Sequence, residues 1–304
     1  MKVLIAGATG AIGRPLISRL LAAGESVVGI ARSSETARAL EKAGAESIQA
    51  DALDPASIRD AVMRVRPDAI VNELTSLPQH YTPEAMKAAA ERDRTVRVQG
   101  NAYLLSAAEA AGVRRYILQS TAFFYAPGPG LADENSSFAV DAPPGVAGSS
   151  RTYAALEASA FGQSTVEAVA LRYGFFYGPG TWFTKEGDMG EQVRQQKVPI
   201  IGEGQGLYNF VHIDDAAAAT VAALRCAPGA YNVTNDEPCE QRVWLPAFAR
   251  YAGAPDPPRV TEEQALTAAD ADAVYYATRL RGASNGKARR EFNFQPRPLE
   301  WLST

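Results

Sequence analysis

The sequence predicts an α/β protein: a parallel sheet covered by helices on both faces, with a smaller lobe towards the C-terminus. Three observations carry that expectation. The chain opens on a strand, a glycine turn and a helix in immediate succession. Short apolar strands then alternate with amphipathic helices through the first half. After Gly178-Pro179-Gly180 the alternation stops and glycine and proline become frequent. Parallel strands need crossover helices, so regular alternation implies a doubly wound sheet.

The elements follow in order. Lys2-Val3-Leu4-Ile5-Ala6 reads as a buried strand, and Gly7-Ala8-Thr9-Gly10-Ala11-Ile12-Gly13 leads into a helix from Arg14. Such a turn lets the backbone approach a pyrophosphate while the free N–H groups of the helix face it. The expected contacts on that side are Gly7, Thr9, Gly10, Ala11, Ile12 and Gly13. Further strands are expected at 26–31, 46–50, 68–72, 115–119 and 166–172, with helices at 33–43, 55–65 and 83–111. This is a Rossmann-type layout. Residues 1–178 are expected to bind NAD(P), with 209–234 returning to that domain. Segments 179–208 and 235–304 are expected to form a substrate-binding lobe over the carboxyl edge of the sheet, where open α/β sheets take their ligands.

Bulk properties exclude several classes. With 304 residues the chain can bury a large core, and its net charge of −4 with no basic run argues against nucleic acid. Cys226 and Cys239 make no metal or redox spacing, and no apolar run reaches membrane-spanning length. Met1 leads straight into the first strand, so a cytoplasmic protein without a signal peptide is expected.

The end of the second strand bears on the cofactor. Ala31-Arg32-Ser33 offers an arginine and no acid there, which suits the 2′-phosphate of NADP better than the ribose of NAD. The alternative for Arg32 is a solvated residue at a helix start. Asp51 is placed to accept from the adenine amine, or else to open a turn before the helix at Pro55. Ala52, Asn72, Gln119 and Tyr173 complete the expected cofactor contacts.

Several motifs in the right order resemble the extended short-chain dehydrogenase/reductase superfamily of NAD(P)-dependent epimerases, dehydratases and reductases. They are Gly7-x-x-Gly10-x-x-Gly13, Asp51-Ala52-Leu53-Asp54, the helix from Gly100 to Val113, Gln119 to Tyr125, Leu171 to Gly180 and Asn209 to Asp215. The resemblance implies a Tyr-x-x-x-Lys pair in which lysine lowers the tyrosine pKa. This chain departs from it. One register sets Tyr153-x-x-x-Glu157 on the pair, and the other sets Ser149 on the tyrosine position, Tyr153 on the lysine position and Glu157 on a later acidic position. The second fits the spacing to Arg172 better, and neither supplies the lysine.

Thr121 takes the position that bonds the reacting oxygen, and Tyr125, Tyr153 and Glu73 are the candidates for moving a proton. His212 is expected to pack and cap. His80 and His212, without clustered carboxylates, also argue against a metal site. Where sugar-nucleotide members carry a diphosphate-binding arginine stands Tyr208, and aromatic residues crowd the expected cleft; Arg279 and Arg281 are the remaining anion candidates. The resemblance implies an NADP(H)-dependent oxidoreductase or isomerase acting on a small carbonyl or hydroxyl substrate, and a homodimer formed through 83–111 and the helix near 152–162. A nucleotide-sugar epimerase or dehydratase, and a non-catalytic NADP sensor, are the alternatives.

Overall fold

The computed structural model describes residues 1–268 and 271–303. Seven parallel strands form the central sheet: β1 (Lys2–Ala6), β2 (Ser26–Ala31), β3 (Glu46–Gln49), β4 (Ala69–Asn72), β5 (Arg115–Thr121), β6 (Glu167–Tyr173) and, after four short strands, Gly229–Val233. Those four are β7 (Phe175–Tyr177), β8 (Ile200–Ile201), β9 (Leu207–Tyr208) and β10 (Phe210–His212), which makes Gly229–Val233 β11. The order across the sheet is β11-β6-β5-β4-β1-β2-β3. The order reverses at β1, so the amino end of the first helix faces the crevice between the two halves. Val3, Leu4, Ile5, Ile70, Val71 and Ile117 are all fully buried, as expected of strands covered on both faces.

Local chemistry sets the helices. α1 (Gly13–Ala22) starts with no side-chain cap. α2 (Ser34–Lys42) is capped by Ser33, α3 (Pro55–Val65) by Asp54, and α4 (Pro83–Ala111) by Thr82 at its start with Gly112 in the left-handed region at its end. α5 spans Pro144–Phe161, several residues earlier than the sequence suggests. Its start is fixed from the other lobe: Gly145 N and Val146 N donate to the carboxylate of Asp272, both at 3.0 Å. A Cβ on Gly145 would lie 2.1 Å from that carboxylate, so only glycine allows the approach.

The small lobe contains α6 (Asp188–Arg194), α8 (Gln241–Tyr251), α9 (Glu262–Ala268) and α10 (Ala271–Arg279), while α7 (Ile213–Ala223) covers the sheet. Its strands pair in twos: β12 (Cys239–Glu240) with β9, and β13 (Arg259–Val260) with β8. Its core is aromatic, with Trp244, Phe248, Phe210 and Trp301 almost fully buried. It also takes in Phe124, Phe138 and Val146 from the first half. Conversely, Ala288 of α11 (Gly286–Phe292) and Phe294 pack into the sheet cluster. The stretch around 286–294 therefore sits with the sheet rather than with the lobe to which 235–304 was assigned. No helix among the described residues is long and apolar enough to cross a membrane.

Candidate functional site

At the carboxyl edge of the sheet the first glycine turn sets the geometry. Gly7 has φ +85°, and a Cβ there would lie 2.4 Å from the Glu73 carbonyl oxygen. A Cβ on Gly13 would lie 2.4 Å from the Ala8 carbonyl oxygen, so this glycine seats α1 on the turn. No side chain caps α1, and at its amino end lies a cleft of about 370 Å³ lined by Thr9, Gly10, Ala11, Arg14, Pro179 and Asp214. Ile12 is buried at the N-cap. These residues fit a dinucleotide pyrophosphate. Arg32, past the end of β2, is exposed and makes no ion pair among the described residues. Asp51 Oδ1 accepts from Leu53 N at 3.0 Å, which is the turn-opening role, and Ala52 is buried beside it.

Ala11, Arg14 and Gly180 also line a second, larger chamber of about 900 Å³. The phosphate cleft and the chamber thus share a wall. Thr121, Gln119, Ser149, Tyr153 and Tyr173 stand in the chamber wall, together with Phe123, Phe175, Tyr81 and Trp182. Two ring pairs dominate: Phe123 stacks on Phe175 at 4.1 Å, and Tyr81 on Trp182 at 4.6 Å. The loop bearing Tyr81 is tied to α6. Tyr81 N donates to Asp188 Oδ2 at 2.7 Å, His80 Nδ1 lies 2.9 Å from Asp188 Oδ1, and Trp182 Nε1 donates to Gln79 O.

The chamber brings together Thr121 and Tyr153, as well as Ser149. The Thr121 hydroxyl accepts only a long contact of 3.5 Å from Phe123 N. The Tyr153 hydroxyl has no hydrogen-bond partner among the described residues, and burial holds its pKa above the ordinary phenol value although Arg97 pulls the other way. Arg97 was missed by sequence reasoning. Its guanidinium lies over the Tyr153 ring at 5.2 Å and donates to Asp93 at 2.7 Å and to Gln119 Oε1 at 3.0 Å. No lysine lines the chamber.

Other expected residues stand elsewhere. Tyr125 is corrected: it is fully buried, donates to Asn232 Oδ1 at 2.6 Å and accepts from Arg172 at 2.8 Å. Burial pushes its pKa up to about 12, so its phenol is structural. Asn72 is also turned away; it donates to Asn101 and Tyr116 and accepts from Leu74 N. Glu73 lies behind the wall, with Oε2 buried and unpartnered and Oε1 3.4 Å from the Tyr173 hydroxyl. Thr220 gives its one proton to Ala216 O, so Tyr173 gives its own to Thr220 at 2.6 Å. Glu73 is left without a strong donor, and burial raises its pKa to about 8.

Glu157 meets Arg172 in a buried pair, with contacts of 2.8 and 2.5 Å, and accepts from Ser120 at 2.5 Å. His212 Nδ1 accepts from Asp214 N and caps α7. Arg281 spends its guanidinium on the carbonyls of Gly130 and Pro129, and neither it nor Arg279 lines the chamber. Among the described residues no group of His, Cys, Asp and Glu is placed to hold a metal ion.

Comparison with known proteins follows the same lines. The model of the NAD dependent epimerase/dehydratase family matches residues 3–234. A 3-diazoavenalumate denitrifying reductase of a Streptomyces species is 39% identical over 99% of this chain and 98% of its own. A 2-alkyl-3-oxoalkanoate reductase of Stenotrophomonas maltophilia is 26% identical over 84% of this chain and 77% of its own. Among solved structures, the UDP-glucose 4-epimerase of Thermus thermophilus in complex with NAD superposes with a TM-score of 0.71 at 23% identity, covering 99% of this chain and 96% of that one. At that identity the last likeness speaks for the fold.

Proposed function

The chain belongs to the NAD dependent epimerase/dehydratase family and is an NAD(P)-dependent enzyme of the reductase and epimerase type, and from that premise we propose that it is an NADP(H)-dependent reductase of an aromatic substrate. The observation that carries this reading is the ring-lined chamber of about 900 Å³ continuous with the phosphate cleft. It has room for a nicotinamide and a planar substrate together. A nucleotide sugar fits less well: Tyr208, where a diphosphate-binding arginine was sought, is buried against Phe175 and Trp244. Arg32 supports the phosphorylated cofactor, since its unpaired guanidinium matches a 2′-phosphate. Val98 on α4 and Phe161 on α5 are exposed at 41% and 43%, which supports a homodimer through those helices.

Bound NADPH supplies hydride. With a carbonyl acceptor, Thr121 holds the oxygen and Tyr153, the free phenol in the same chamber wall, gives it a proton. A tyrosine whose pKa is raised and which lacks a lysine serves as an acid rather than a base. Turnover therefore falls as pH rises towards the phenol pKa. A second reading is favoured by the denitrifying relative and by the absence of lysine from the chamber. Here the acceptor is a carbon bearing a diazonium group. The C–N bond breaks, N₂ leaves with its bonding pair, and a C–H bond forms from the hydride, so no oxygen needs a proton.

One set of assays tests both readings. NADPH consumption is followed with aromatic aldehydes, ketones and diazo compounds, using the wild type and Thr121→Ala. With a carbonyl acceptor the variant loses about a hundredfold in turnover; with a diazo acceptor it keeps most of its rate while N₂ is released. No consumption with any of these compounds rejects the reductase reading and leaves the sensor. Calorimetry addresses the cofactor: Arg32→Asp weakens NADPH by about 1.5–3 kcal/mol and spares NADH, whereas tighter NADH binding by the wild type refutes the preference.

A further inference from the structure

Arg97 is only 7% exposed, yet it stands in the chamber wall. Its Nε is held by Asp93 and its Nη1 by Gln119, while Nη2 makes no hydrogen bond among the described residues. A buried cation with an unspent nitrogen is an incomplete arrangement, because burial of charge is offset only when partners fill its donors. The neighbours point the same way. The hydroxyls of Tyr153 and Ser149 face the same chamber, and neither they nor Gln119 Nε2 has a partner within the described residues. All are able to donate. The Phe123–Phe175 stack lines the same chamber.

A ligand that completes this chamber has a flat apolar body and an oxygen-rich, negatively charged end. We propose that the substrate is a planar aromatic carboxylate whose charged group is held by Arg97, with Ser149 and Gln119 beside it. A monoanion fits better than a phosphate. Asp93 already offsets part of the guanidinium charge at 2.7 Å, while Glu91 in the same wall is paired with Arg94. A dianion meets the Asp93 carboxylate beside a charge already partly offset, while a single carboxylate matches the one nitrogen that remains. This inference names the substrate class of the reductase reading and rests on it for the word substrate; the contact itself is independent of turnover.

The test is binding, by calorimetry, of benzoate and cinnamate, each beside its primary amide, to the whole chain with and without saturating NADP⁺. The acids are expected to bind about ten- to a hundredfold more tightly than the amides, the scale of a charge-assisted hydrogen bond. Arg97→Met should bring the acids down to the level of the amides, and Arg97→Lys should restore part of the difference. The comparison of acid with amide on the wild type needs no variant to fold. Equal binding of acid and amide overturns the inference, as does no binding of either acid. So does an Arg97→Met chain that loses NADP⁺ affinity by the same factor, since the guanidinium then belongs to the cofactor. Acid-selective binding without NADPH consumption leaves the carboxylate contact standing and rejects the reductase reading alone.

Discussion

Arg172 and Arg97 are both buried arginines paired with a carboxylate, and they differ in what is left over. Arg172 reaches from β6 to Glu157 through two nitrogens and to the Tyr125 hydroxyl and the Glu134 carbonyl through the third. Phe138 covers its face at 4.8 Å. Every nitrogen is used, and the network joins β5, α5, β6 and, through Asn232, β11. Arg97 uses two nitrogens and leaves the third free beside an open chamber. A saturated buried charge holds elements together, whereas an unsaturated one has room for a ligand. The same contrast separates Tyr125, whose phenol is fully engaged, from Tyr153, whose phenol is not.

The largest effect lies on the saturated side. Glu157→Ala leaves the Arg172 guanidinium and Ser120 without their carboxylate in a closed interior. A buried pair broken by removing one partner costs about 3–5 kcal/mol, seen as a large drop in the urea midpoint. A drop no larger than that of an exposed substitution would mean that water reaches Arg172, and the comparison would lose its first half.

Glu73 gives the next effect, through pH. Its folded pKa of about 8 stands above the ordinary 4.5. A group with a raised folded pKa contributes stability that is complete below the unfolded value and is lost as pH rises through the folded one. The wild type should therefore lose stability between pH 4.5 and 8, by up to about 5 kcal/mol at about 1.4 kcal/mol per pKa unit. Glu73→Gln stays neutral throughout, so its unfolding free energy should change much less over that range. Parallel curves for the two proteins would show that Glu73 is ionised in the folded state.

The sequence made the glycine turn and the strand and helix alternation legible, because local chemistry decides them. Gly7 and Gly13 are needed for close backbone approaches, and the caps at Ser33, Asp54 and Thr82 act within three residues. Tyr125 was misread for a physical reason. Alternate residues share a face only while a strand lasts, and β5 ends at Thr121, so the phase is lost before Tyr125. Arg97 went unread because its environment is assembled from distant parts: Asp93 one turn earlier, Gln119 on β5 and Tyr153 on α5. A signal was present. Arg97 falls on the stripe of α4 that carries Gly100, Leu104 and Ala108, all buried. A charged residue on a helix's apolar stripe needs either a partner or a ligand, and here it has a partner for only part of its guanidinium.

The smallest expected effect completes the comparison. Arg97→Met also removes one member of a carboxylate pair, so a rule based on burial alone assigns it the same cost as Glu157→Ala. The two sites differ in what the remaining group can do. Asp93 retains the Ser76 N–H, a contact of 2.5 Å, and its side chain keeps 15% exposure at the edge of the chamber. Water can take the place of the guanidinium there, as it cannot around Arg172. The penalty should then be near that of an ordinary lost hydrogen bond, about 1 kcal/mol, and the methionine stem keeps the packing against Tyr153. Urea denaturation of the two variants side by side decides the matter. A loss for Arg97→Met as large as that for Glu157→Ala would mean that the chamber is sealed in the folded protein, and Nη2 would no longer mark a place for a ligand.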